Sequence, residues 1–209
     1  MKNKLTYCTM TAVVFVFANL AGVCAQEDAM MEAADSMKKM DPMAEQMVKY
    51  GSPGEPHKIL ESLAGQWTYT TKWWMSADAA PEESQGTSEN SMILGGRFLK
   101  QEVQGLSMGQ PFEGIGIVGY DNIKEEYSSI WIDSMMTGIM SAAGQYDAAT
   151  KTLTETGSLS CPVTGEKHKP FRGELKIIDD DHYAYSMYSM GPDGQEFKGF
   201  EITYTRTGR

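Results

Sequence analysis

Downstream of Gly65 the chain breaks into short strand-like runs that do not alternate cleanly between apolar and polar residues, separated by turn signals at nearly regular spacing. The pattern predicts ten strands: Gln66–Met75, Gln85–Leu94, Arg97–Met108, Pro111–Tyr120, Glu125–Asp133, Thr137–Tyr146, Lys151–Leu159, Lys169–Ile178, His182–Met190 and Glu196–Arg206. No helix long enough to cover a parallel sheet fits between them, so the connections are hairpins and the sheet is antiparallel. Gly95-Gly96 and Pro192-Asp193-Gly194 read as hairpin turns. Asp121 and Asp147, each following a Tyr and preceding a Lys, read as turn acids that accept backbone N–H bonds. Glycines within the runs (Gly114, Gly116, Gly138, Gly144, Gly173, Gly199) imply sharp bending, and closure of the sheet removes both edges. The expected fold is therefore an all-β, ten-stranded antiparallel barrel. Trp67, Tyr69, Thr71 and Trp73 share one strand face, and Tyr183, Tyr185 and Met187 share another. Such mixed faces suit a lined cavity better than a solid core.

The segment upstream has a different character. Pro56 in a first turn and Gly65 beyond the last predict a short helix over His57–Ala64. Lys2 and Lys4 before the apolar stretch Leu5–Val23, with small residues ahead of Gln26, predict a signal peptide over residues 1–25. A periplasmic or secreted protein with no integral membrane segment after cleavage is expected. Residues 26–54 form a Met-rich, helix-prone tether ahead of a barrel domain at 55–209. Met37, Met40, Met43 and Met47 recur at helical spacing. That row reads either as an apolar docking face or as a soft thioether set for copper(I).

Composition narrows the function classes. With 18 Lys+Arg against 28 Asp+Glu, a net charge of −10 leaves no basic face for nucleic acid. Cys8 and Cys24 leave with the signal, so Cys161 has no partner for an intramolecular disulfide. His57, His168 and His182 show no local spacing for a metal site, and no Gly-X-Ser-X-Gly elbow occurs. No cofactor is expected.

Gly65-Gln66-Trp67 at the first strand and Arg206 at the last resemble the closure signature of the calycin superfamily, the lipocalins and fatty-acid-binding proteins. The resemblance implies a structural closure in which the Arg206 guanidinium lies across the Trp67 indole. A longer set resembles the bacterial exported domain-of-unknown-function family 1579. It comprises His57, Gly65-Gln66-Trp67, Trp73, Gly95-Gly96-Arg97-Phe98, Pro111-Phe112-Glu113-Gly114, Gly119-Tyr120-Asp121, Trp131-Ile132-Asp133, Tyr146-Asp147 and Glu201 through Arg206. That resemblance implies a calycin-like barrel and no chemistry. Among its positions, Arg97, Glu113, Trp131, Asp133 and Glu201 are candidates to meet in a cavity with Trp73. In one reading Arg97 pairs a ligand carboxylate, while Trp73 and Trp131 supply flat apolar contact. In the other, Arg97 pairs with Glu113 or Asp133 to fix register. The expected function is binding of a small, partly apolar ligand. The alternatives are an enzyme using Glu113, Asp133 or Glu201 as general base, and a copper-handling or interaction protein working through the Met row.

Overall fold

The computed structural model describes residues 41–209 except 77, 163, 192 and 193. The expected signal peptide over residues 1–25, Met37, Met40 and most of the expected tether lie outside the described residues. The chain divides into two units, Met1–Lys49 and Tyr50–Arg209. Helix α1 (Pro42–Gly51) starts at Asp41, whose carboxylate accepts the Met43 N–H at 3.0 Å, with Pro42 in the first turn, where a missing N–H costs nothing. Met43 and Met47 lie one turn apart on it. No helix among the described residues is long and apolar enough to cross a membrane.

Ten strands follow a second helix, α2 (Glu55–Ser62): β1 (Gly65–Trp73), β2 (Glu82–Ile93), β3 (Phe98–Ser107), β4 (Gln110–Asp121), β5 (Glu126–Asp133), β6 (Met140–Asp147), β7 (Thr152–Leu159), β8 (Lys169–Asp179), β9 (His182–Met190) and β10 (Glu196–Gly208). Each pairs antiparallel with its sequence neighbour, and β10 returns to pair with β1, which closes the barrel. The strands keep close to the bounds read from the sequence. The clearest shift is at β6, which starts at Met140, so that Gly138 belongs to a loop and not to a bend within a strand.

The turns carry the residues that their chemistry requires. Gly95 and Gly96 both have positive φ between β2 and β3. Asp121 accepts the N–H groups of Ile123 and Lys124, and Asp147 accepts from Ala149 and the Thr150 hydroxyl. These bonds favour the ionised form and hold both carboxyls below the usual range.

α2 closes one end of the barrel. Leu60 and Leu63 point into a core that includes Trp67, Tyr69, Leu99, Val103, Tyr127, Leu153, Tyr183, Ile202 and Tyr204. Pro56 lies at the start of the helix, and its carbonyl accepts the Tyr127 hydroxyl at 2.9 Å. Gly65 turns the chain from helix to strand at φ +126°, where a Cβ would stand 2.6 Å from an Arg206 nitrogen.

Candidate functional site

Strand alternation decides which side chains face the interior, and burial grades them by depth. At the α2 end the inward positions are filled: Trp67, Tyr69, Ser88, Asn90, Leu99, Val103, Tyr127, Tyr183 and Tyr204 are all buried. The polar atoms among them satisfy one another. Asn90 donates to the Leu63 carbonyl and the Tyr183 hydroxyl, Ser88 donates to Asn90, and Gln101 reaches the hydroxyls of Tyr183 and Tyr204. Tyr183 and Tyr204 stack at 4.1 Å between ring centroids. Burial pushes both phenols well above the usual range, so both stay neutral.

Toward the other end Phe171 is buried, but most inward side chains keep part of their surface accessible, among them Thr71, Ser84, Phe112, Trp131, Met140, Tyr185, Met187 and Phe200. The inward side chains nearest the end opposite α2 are thus partly open to solvent. Its margin carries exposed apolar side chains, including Trp73, Met75, Leu106, Met108, Met136 and Met190.

Trp131 lies flat against the inner wall. A Cβ at Gly114 would fall 2.3 Å from its ring and one at Gly116 3.2 Å, so these β4 glycines make room for the indole. Phe112 stacks on it at 6.4 Å with an 18° interplanar angle. The indole N–H donates to Asp133 Oδ2 at 2.9 Å, while Asp133 Oδ1 accepts the N–H groups of Met135 and Met136. Asp133 thus joins Trp131 to the β5–β6 turn. Trp73, 47% exposed, meets Phe200 edge-on at 6.0 Å and stands at the margin.

Three expected site residues lie elsewhere. Arg97 is exposed on the β2–β3 turn and donates to the Leu94 carbonyl at 3.1 Å. Asp133 aligns with Val103 through Gly114, six residues along β3 from Arg97, or roughly 20 Å at about 3.3 Å per residue. Arg97 therefore neither reaches the interior nor pairs with Asp133, and no ion pair joins it to Glu113 among the described residues. Glu113 is exposed on the outer face, between inward Phe112 and Gly114. Glu201 also points outward, between Phe200 and Ile202, and pairs with Lys198.

The sequence reading missed the carboxylate that does lie inside. Glu155 on β7 is only 9% exposed. Its Oε2 accepts from Ser129 Oγ of β5 at 2.8 Å, and its Oε1 from the Tyr185 hydroxyl of β9 at 2.9 Å. The cluster spans three alternate strands because the inward positions between them are small: Ala142 and Gly144 on β6, Gly173 on β8. A Cβ at Gly173 would lie 2.4 Å from the Tyr185 oxygen and 3.0 Å from Glu155 Oε1. Burial and the neighbouring Glu155 push the Tyr185 phenol well above the usual range, so it serves as a neutral donor.

At the closed end Arg206 lies over Trp67, as the closure signature implies, and it also donates to the carbonyls of Ala64, Ser62 and Asp180. Outside the barrel a hollow of about 380 Å³ lies between α2 and the β2–β3 turn, lined by Pro53, His57, Glu61 and Met92 among others. Among the described residues no group of three or more His, Cys, Asp or Glu is arranged to hold a metal ion.

This architecture defines a closed, ten-stranded antiparallel barrel of lipocalin-like type, plugged by a helix at one end. The chain belongs to the DUF1579 family, described as a protein of unknown function, whose model matches residues 52–206. No curated protein matches it. Among solved structures it is similar to Rv2717c from M. tuberculosis, at 15% identity and a TM-score of 0.54, over 75% of this chain and 99% of that one. It is also similar to the S-type phycobiliprotein lyase CPES from Guillardia theta, at 10% identity and a TM-score of 0.50, over 73% and 92% of the two chains.

Proposed function

We propose that this protein binds a small, partly apolar ligand inside the barrel, admitted through the end opposite α2. The observation that carries the reading is the accessibility of Phe112, Trp131, Met140, Met187 and Phe200, which belong to inward faces of a closed sheet. A barrel of about eight strands is just wide enough to fill itself or hold one small ligand, and ten strands widen the interior. Flat aromatic and thioether walls with few polar groups are the usual lining of such a pocket. The Guillardia theta lyase shares the fold, and the case for the present chain rests on its own lining. The protein is further proposed to act after export, which N-terminal sequencing of the mature chain tests by finding Gln26 first.

Titration with the neutral fluorophore N-phenyl-1-naphthylamine, followed by native mass spectrometry of protein from its own host, tests the binding reading. Saturable uptake by the wild type and several-fold weaker uptake by Trp131→Ala are expected, with Arg97→Gln unchanged because Arg97 lies on an outer turn. Absence of saturable uptake together with no retained ligand would sink the proposal.

A further inference from the structure

We propose that the Ser129–Glu155–Tyr185 cluster is the recognition point of this cavity and takes the protonated amine of an amphiphilic ligand. The inference deepens the binding reading above and rests on it.

A buried carboxylate is costly unless its charge is met by a cation or by several hydrogen bonds. Glu155 has two hydrogen bonds, both from neutral hydroxyls, and no ion pair to Lys, Arg or His among the described residues. A carboxylate offers about four acceptor sites, so roughly two remain on Glu155 after Ser129 and Tyr185 have donated. Among the described residues no other side chain brings a positive charge to Glu155. Arg206 is committed to carbonyls at the closed end, and Arg172 is paired with Glu174 and Glu196. Lys169 shares the strand face of Gly173 but stands four residues nearer the open end, roughly 13 Å along β8.

The position of Glu155 suits a ligand that enters apolar body and charged head together. Trp131 follows Ser129 by two residues on β5, and Met187 follows Tyr185 by two on β9, so both flank the cluster on the side facing the open end. An ammonium seated on Glu155 would leave its chain against those walls. An anionic ligand, which an inward Arg97 would have favoured, meets only like charge at this depth.

The test is competition for bound N-phenyl-1-naphthylamine at pH 7 and physiological salt, using dodecylamine, dodecanol and dodecanoate. Dodecylamine is expected to displace the probe at concentrations roughly ten- to a hundredfold below dodecanol, the range for one charge-assisted hydrogen bond, with dodecanoate weakest. Glu155→Gln should bring the amine to the level of the alcohol and leave the alcohol unchanged. Glu113→Gln, which removes an outer carboxylate, should keep the preference. Equal displacement by amine and alcohol in the wild type overturns the inference without any variant, and so does a preference that survives Glu155→Gln. Both outcomes leave ligand binding standing. A wild type that does not take up the probe and retains no ligand overturns the binding reading and this inference together.

Discussion

Arg206 lies with its guanidinium carbon 4.0 Å from the ring centroid of Trp67, and the two residues are direct partners across the β1–β10 seam. One planar group thereby stacks on the indole and also donates to three backbone carbonyls, two of them at the end of α2. A lysine has the charge but neither the plane nor the fork. Arg206→Lys is therefore expected to lower the melting temperature almost as far as Arg206→Ala. At about 2 to 4 kcal/mol for the lost bonds and stacking, and roughly 2 to 4 °C per kcal/mol for a domain of this size, the drop is about 4 to 16 °C. A lysine variant that melts like the wild type would refute the stacking account.

The two glycines beneath Trp131 give a graded comparison. Gly114→Ala places a methyl group 2.3 Å from the indole and must displace it, whereas Gly116→Ala meets the ring at 3.2 Å, where a few tenths of an ångström suffice. Overpacking of the first kind costs about 1 to 3 kcal/mol, and the alanine returns under about 1 kcal/mol through the unfolded chain. Gly114→Ala is expected to melt about 2 to 10 °C lower and to lose near-ultraviolet dichroism, with Gly116→Ala close to the wild type. Equal melting of the two would place the indole elsewhere.

His57 couples the plug helix to pH. Burial lowers its pKa from 6.5, and the charge of Arg97 acts in the same direction. Its Nδ1 accepts the Gly54 N–H at 3.0 Å, a bond that only the unprotonated nitrogen can accept. The unfolded chain therefore takes up the proton first as pH falls. Stability contributed by His57 is complete above about pH 7, declines as pH drops through the unfolded value near 6.5, and levels off below the lowered folded value. Urea midpoints between pH 8 and 5 should show this decline in the wild type and lack that component in His57→Gln. An unchanged slope in the variant would count against it.

The strands were readable because β structure was signalled many times over, by regularly spaced turn signals, by Gly-Gly and Asp turns and by the lack of competing helices. Placing the acids inside needed a further step, the alternation of inward and outward positions along each strand. Glu113 stands between Phe112 and Gly114, and Glu201 between Phe200 and Ile202, so their neighbours take the inward positions and the acids must face solvent. Arg97, directly after Gly95-Gly96, belongs to a turn by the same logic. Glu155 carries the opposite signature: it shares a face with Leu153, Gly157 and Leu159, the apolar face of its strand. What made it hard to find is that its partners come from β5 and β9, and only register across small residues brings those strands together. The Met43 and Met47 spacing is helical in α1, and that alone does not distinguish an apolar face from a copper site.

The β1–β10 seam also determines when the molecule can be finished. Thr68 donates to the carbonyl of Thr205 across 137 residues of sequence, whereas every other strand pairing joins sequence neighbours through a hairpin. During synthesis the nine earlier strands can pair in order, but β1 and β9 each keep an unmatched row of backbone donors and acceptors until Glu196–Gly208 has emerged. The nascent chain thus passes through an open sheet with two edges able to recruit strands from other chains, and the slowest contact to form is the one that ends this exposure.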